Sequence, residues 1–160
     1  MEDIDELGIL LDNYSKKFEE SKLNRQGQIK ENQDFKDQFN QLVQNVIIPE
    51  MNKYYTIFYD RGFGASIIRS SILHEAGHQT QSITLSFSHK KSSYSGFMPA
   101  LIPSLKFVAE NRKIAIYENK FDASGLGSSG KEGAYETYQI TESFVGDKLS
   151  NFFKTLFNRD

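Results

Sequence analysis

The chain has 160 residues, enough for one domain with a hydrophobic core and too few for two ordinary domains. A net charge of −2 argues against a general attraction to nucleic acid or anionic membranes, and the lack of cysteine excludes disulfides, thiolate catalysis and cysteine-based zinc sites. The acidic first residues lack the order of a secretory signal, and no apolar run reaches membrane-spanning length. We expect a soluble, cytoplasmic protein that binds neither nucleic acid nor membrane.

A heptad pattern predicts that the first 25 residues form a helix that pairs with another helix. Apolar residues recur there in alternating steps of three and four: Ile4, Leu7, Leu11, Tyr14 and Phe18. The pattern lapses after Phe18, and the polar run 26–33 around Gly27 predicts a break or weak joint. We therefore divide the chain into a helical, coiled-coil-like extension, residues 1–31, that serves as an oligomerisation element, and an α+β domain, residues 32–160.

A second helical stripe follows the polar run. Its apolar residues are Phe35, Phe39, Leu42, Val43, Val46, Ile47, Tyr54 and Phe58. We expect it to begin at Asn32 or Asp34 and to end at Arg61-Gly62, where a cation is followed by a glycine that can take the left-handed conformation. Pro49 lies inside the stripe and cannot donate a backbone hydrogen bond, so a kink or break is expected there.

From Gly64 onward the hydrophobic period becomes two, which predicts strands with one buried face. The candidate strands are 66–73, 82–88, 105–109, 113–117 and 135–140. Asn111-Arg112 is the expected hairpin turn between the third and fourth of these. A final helix is predicted with Thr141 as N-cap, a hydrophobic staple from Ile140 to Val145, and one apolar stripe. That stripe comprises Phe144, Val145, Leu149, Phe152, Phe153, Leu156 and Phe157, with Lys148 assigned to the opposite face. The fold class is thus α+β: a mainly antiparallel sheet of about five strands with one face covered by helices.

Two loops are long enough to carry function. The segment 90–103 contains Phe97 and Met98, and apolar side chains on a connection either pack on the core or meet a partner. The segment 121–133 contains a glycine-rich stretch that partly matches phosphate-binding loops. Glu132 stands where a magnesium-binding hydroxyl belongs, so a surface loop is the preferred interpretation.

The pentapeptide from His74 to His78 resembles the H-E-x-x-H motif of zinc hydrolases. The resemblance covers only these five positions. It implies that His74 and His78 bind zinc and that Glu75 is the general base, with a third ligand from Glu110, Glu118, Glu136 or Glu142. The flanking residues favour strand and turn over a helix of several turns. We therefore predict a hairpin with a loop from Glu75 to His78, in which Ile68 pairs with Leu85 and His74 with Gln79.

Two functions remain open from the sequence, besides a weaker third, a small-ligand-binding domain. The leading one is a non-enzymatic, self-associating interaction module without a cofactor, whose helix pairs chains and whose sheet or 90–103 loop meets a protein partner. The alternative is a small zinc-dependent hydrolase of peptide or amide bonds that uses the histidine motif. Intrinsic metal content distinguishes the two.

Overall fold

A computed structural model describes residues 2–73, 79–88, 102–121 and 127–158. The fold is α+β, as predicted, with a long N-terminal helical segment, a five-stranded antiparallel sheet and a C-terminal helix. Contacts divide the chain into two compact units, residues 1–37 and 38–160. The predicted boundary between an oligomerisation element and a domain, after residue 31, stays a prediction.

The first helix, α1, runs from Glu2 to Leu42 without interruption. The predicted joint over residues 26–33 is therefore wrong. A single glycine costs a helix only about 1 kcal/mol, and Gly27 is flanked by glutamine, lysine, arginine and glutamate, which are good helix formers. The polar run thus changes the surface of the helix and leaves its backbone regular.

The predicted break near Pro49 is confirmed. A π-helical turn occupies Val43–Ile47, and the second helix, α2, spans Ile48–Asp60 with the proline in its first turn. The Ile48 N–H donates to the carbonyl oxygen of Val43, five residues back. Pro49 has no N–H, so it cannot donate the next backbone hydrogen bond at the α-helical spacing of four residues. The predicted end of α2 is also confirmed, because Gly62 follows the Arg61 cap with a φ of +86°.

Five consecutive strands form a meander in which each is antiparallel to the next. They are β1 (Gly64–Leu73), β2 (Gln79–Ser88), β3 (Ser104–Glu110), β4 (Lys113–Asn119) and β5 (Ser129–Tyr135). The predicted turn between β3 and β4 is confirmed. Asn111 and Arg112 have φ of 50° and 58°, as a two-residue turn with both central residues left-handed requires.

The predicted strand at 135–140 is wrong, and so is the assignment of all of 121–133 to a loop. The strand β5 ends at Tyr135, and Thr137–Gln139 is a 3-10 turn. A Cβ on Gly133 would lie 2.9 Å from the hydroxyl oxygen of Tyr135, so a larger residue at this position would displace the tyrosine ring. Because β5 uses glycines that normally weaken strands, its sequence carries little strand signal.

The C-terminal helix, α3, spans Glu142–Phe157 as predicted. The Thr141 hydroxyl accepts a hydrogen bond from the Phe144 N–H at 3.2 Å, which confirms the N-cap. Ile140 and Val145, the two staple residues, are both buried.

The helices cover one face of the sheet and form the core with it. Their buried side chains are Phe39, Val43, Ile47, Met51, Phe58, Val145, Leu149, Phe152 and Phe153. The sheet contributes Ile83, Leu85, Leu105, Phe107, Ile114 and Ile116. At one end of this core the ring centre of Phe58 lies 4.9 Å from the ring centre of Phe87 and 4.8 Å from that of Phe153. These edge-to-face contacts join α2, β2 and α3.

Phe152→Ala tests the apolar face of α3. The side chain is 1% exposed, so we expect a loss of about 3–5 kcal/mol in the free energy of unfolding, from lost burial and the cavity left behind. The matched control is Lys154→Ala at an exposed position two residues further on, with an expected change within about 0.5 kcal/mol. Denaturant unfolding measures both, and equal losses would mean that the assigned face is wrong.

Candidate interaction surface

The N-terminal helix carries its predicted apolar stripe on the surface. Ile4 is 73% exposed, Leu7 56%, Leu11 57%, Tyr14 68% and Phe18 59%. Further large apolar side chains on α1 are also more than half exposed: Ile9, Leu10, Leu23 and Ile29. Because exposed apolar patches mark interaction sites, the density of exposed apolar side chains makes this helix the first candidate for an interaction surface.

The five stripe residues occupy positions a and d of successive heptads. We call this set, Ile4, Leu7, Leu11, Tyr14 and Phe18, the seam. It contains no charged residue, and it extends over about 21 Å of helix at a rise of about 1.5 Å per residue. Its geometry is that of a coiled-coil seam, in which each side chain enters a hole between four residues of a second helix.

The same heptad frame continues along α1 but is used differently in the second unit. The next a and d positions are polar, namely Ser21, Arg25, Gln28 and Asn32, and apolar residues return at Phe35 and Phe39. Within the unit 38–160, Phe39 is fully buried. The apolar pattern of the second stripe thus belongs to the core, whereas that of the seam faces solvent.

The histidine motif lies outside the described residues, so its predicted roles stay predictions. His74, Glu75 and His78 fall between Leu73 and Gln79, the last paired residues of β1 and β2. Strand rather than helix therefore flanks the motif on both sides. Among the described residues no group of three or more histidine, aspartate or glutamate side chains could hold a metal ion.

The predicted register of this hairpin is wrong by one residue. Leu85 pairs with Ile67 instead of Ile68, and Gln79 pairs with Leu73 instead of His74. The prediction assumed that Ile68 faces the core, but its side chain is 56% exposed. Arg69 lies on the same face of β1 as Ile67, and its side chain bonds to that of Asn40 in α1, a contact that accompanies the observed register.

Zinc content tests the histidine motif directly. We expect protein purified without chelator or affinity-tag histidines to contain far less than one zinc per chain, because strands on both sides leave no room for the long helix that presents the two ligands in such hydrolases. Elemental analysis of wild type and of His78→Ala provides the measurement. Stoichiometric zinc that is lost in the variant would establish a metal site.

Three of the four proposed carboxylate ligands already pair with cations. A carboxylate oxygen of Glu118 lies 3.2 Å from the Nζ of Lys120, and one of Glu136 lies 3.6 Å from the Nζ of Lys113. Glu110 accepts hydrogen bonds from Lys131 at 2.9 Å and from the Tyr117 hydroxyl at 2.8 Å, on the sheet face opposite the helices. The contacts among Glu110, Tyr117 and Lys131 form an ordinary network across β3, β4 and β5.

The Glu110 network shifts the pKa values of its members. The hydrogen bond from Lys131 is the main cause that lowers the pKa of Glu110, opposed by partial burial and supported by the bond from Tyr117. The bond to Glu110 in turn raises the pKa of Tyr117 and of Lys131. The carboxylate form of Glu110 is therefore the one that the fold stabilises.

Glu110→Gln tests this network through the pH dependence of stability. A lowered pKa in the folded state gives stability that is present above the ordinary glutamate pKa and is lost as the pH falls through the folded-state pKa. We expect the variant to melt below wild type at pH 7 and the difference to shrink below about pH 4. Glu20→Gln, at an exposed position of α1, is the control. A difference that is independent of pH would contradict the assignment.

Lys148 does not lie on a free face of α3, so the sequence assignment is wrong. Its amine contacts a carboxylate oxygen of Glu132 at 2.6 Å and the Tyr135 hydroxyl at 2.9 Å. Burial lowers the pKa of Lys148, but the hydrogen bonds to these two residues outweigh it, and the pKa is raised. This contact joins α3 to β5, and it was not expected because Glu132 was assigned to the 121–133 loop.

Comparison with known proteins adds no functional assignment. No protein-family model, curated protein or solved structure matches this chain. Within the described residues, no helix combines the length and the apolar character needed to cross a membrane. Phe97 and Met98, the other proposed interaction residues, lie outside the described residues.

Proposed function

We propose that this protein is a non-enzymatic, self-associating interaction module, and that the N-terminal helix of one copy pairs with that of a second copy. The observation that supports this proposal is the exposure of the seam, every residue of which is more than half accessible to solvent. In this proposal the α+β domain offers its polar sheet face or the 90–103 loop to a protein partner. The protein acts in the cytoplasm and needs no cofactor.

The energetics favour pairing over a solvated helix. Full burial of a large apolar side chain contributes about 1.5–3 kcal/mol, so ten seam side chains from two copies give roughly 15–30 kcal/mol before costs. Association costs about 4–15 kcal/mol in lost freedom, besides the ordering of side chains. The upper part of the range of gains exceeds these costs, so burial of the seam is sufficient to hold two helices together when its side chains are well covered.

A second copy of this chain is the occupant that best fits the seam. Both the a and the d positions from Ile4 to Phe18 are apolar, so a second seam supplies apolar knobs for most of the holes of this one. The seam contains no charged residue that would need an opposite charge on a different protein. The zinc hydrolase remains the alternative, and the zinc measurement above decides it.

Leu11→Glu tests self-association. The substitution puts a charge at the middle of the seam, where pairing would bury it without a partner, so we expect the particle to become monomeric at concentrations where wild type is dimeric. Asn13→Glu is the matched control, because it adds the same charge on the same helix outside the seam. Sedimentation across the micromolar range measures both.

The outcomes separate clearly. Loss of the dimer in Leu11→Glu alone supports the proposal. A wild-type protein that stays monomeric at high micromolar concentration contradicts it, as does equal association of both variants and wild type.

A further inference from the structure

We infer that the two N-terminal helices pair in antiparallel orientation, with the twofold axis between residues 12 and 13. This inference rests on the proposed self-association and adds orientation and register. The observation that supports it is the order of charges along α1, which the apolar seam alone does not explain.

The charges along α1 are separated into two blocks. Residues 2–12 contain five carboxylates and no lysine or arginine, whereas residues 13–30 contain five lysines or arginines and two carboxylates. Parallel, in-register pairing would set the acidic block of one copy beside that of the other. Antiparallel pairing sets each acidic block beside the start of a basic one, so charge complementarity selects this orientation.

The seam selects the register. In an antiparallel pair an a position of one helix meets a d position of the other. With the axis between residues 12 and 13, Leu7 lies opposite Phe18 of the second copy, and Leu11 lies opposite Tyr14. Only Ile4 meets a polar residue, Ser21. A shift by one heptad toward the C-terminus would instead place Leu7 opposite Arg25, which would bury a charge.

Lys17 distinguishes the two orientations by the sign of its effect. In a parallel pair Lys17 at a g position faces Lys22 at the following e position of the second copy, and the two repel. In the antiparallel pair Lys17 lies level with residue 8 of the second copy and faces the g and c positions of that copy, where Glu6 lies about 3 Å away along the helix axis at a rise of about 1.5 Å per residue. Reversal of the Lys17 charge thus helps one orientation and harms the other.

Single nitroxide labels measure the orientation in the full-length protein. The chain has no cysteine, so a cysteine introduced at Asn13 or at Gln26 is a unique attachment site outside the seam. In the antiparallel dimer the two Asn13 labels lie close to the axis, whereas the two Gln26 labels are about 40 Å apart along the helices at a rise of about 1.5 Å per residue. In a parallel dimer the two sites give similar, short distances.

The dissociation constants of charge variants give a second measurement. We expect Lys17→Glu to weaken the dimer severalfold at low salt and less at high salt, because it places an anion beside the acidic block of the second copy. Lys30→Glu is the control, because it makes the same charge change outside the part of α1 that lies beside the second copy. This variant should leave the dissociation constant unchanged.

The results separate the two proposals. A long Gln26 distance beside a short Asn13 distance supports the antiparallel pair, and a weaker Lys17→Glu dimer adds to it. A dimer with equal distances, or one that Lys17→Glu tightens, overturns the orientation while self-association stands. A monomeric wild type overturns both.

Discussion

Burial of one face of the sheet is the constraint on which the rest of the α+β domain depends. Its strands carry fully buried side chains on that face, and the helices must present an unbroken apolar line to cover them. Phe39, Val43, Ile47 and Met51 form this line at steps of four residues. In a regular α-helix such steps drift around the axis, because four residues exceed one turn of 3.6. The wider π turn at Val43–Ile47 rotates the line back, so the break before Pro49 keeps these four side chains on the sheet.

Features that depend on one or two residues could be predicted from the sequence. The Thr141 cap, the Asn111-Arg112 turn and the glycine after Arg61 each satisfy a local backbone need, and the structure has all three. The register of β1 could not be predicted this way, because Ile67 and Ile68 are adjacent and both apolar. A bond between Arg69 and Asn40, which are far apart in sequence, accompanies the observed register. The strand β5 could not be predicted either, since glycine has low strand propensity and Gly133 fits the space beside Tyr135.

The candidate site shows a similar limit of sequence reasoning. The seam could be recognised as an apolar heptad stripe, but a buried stripe and an exposed stripe have the same pattern. Phe18 and Phe39 lie in one heptad frame, yet Phe18 is 59% exposed and Phe39 is 0% exposed. The difference comes from the sheet and α3, which cover the second stripe and belong to the unit 38–160. The histidine pentapeptide cannot predict a zinc site by itself, because five residue types do not specify the backbone conformation on which zinc ligation depends.

The polar part of the heptad frame sets the extent of the proposed helix pair. A pair that continued past Ser21 would bury Arg25 at an a position, followed by Gln28 and Asn32. Burial of an unpaired guanidinium costs more than one additional apolar layer returns. The pair therefore ends within the N-terminal unit, and the apolar residues that begin at Phe35 stay available for the core. This separation allows one uninterrupted helix to carry two apolar stripes with the same period, because a continuous pair that included both stripes would bury the polar residues between them.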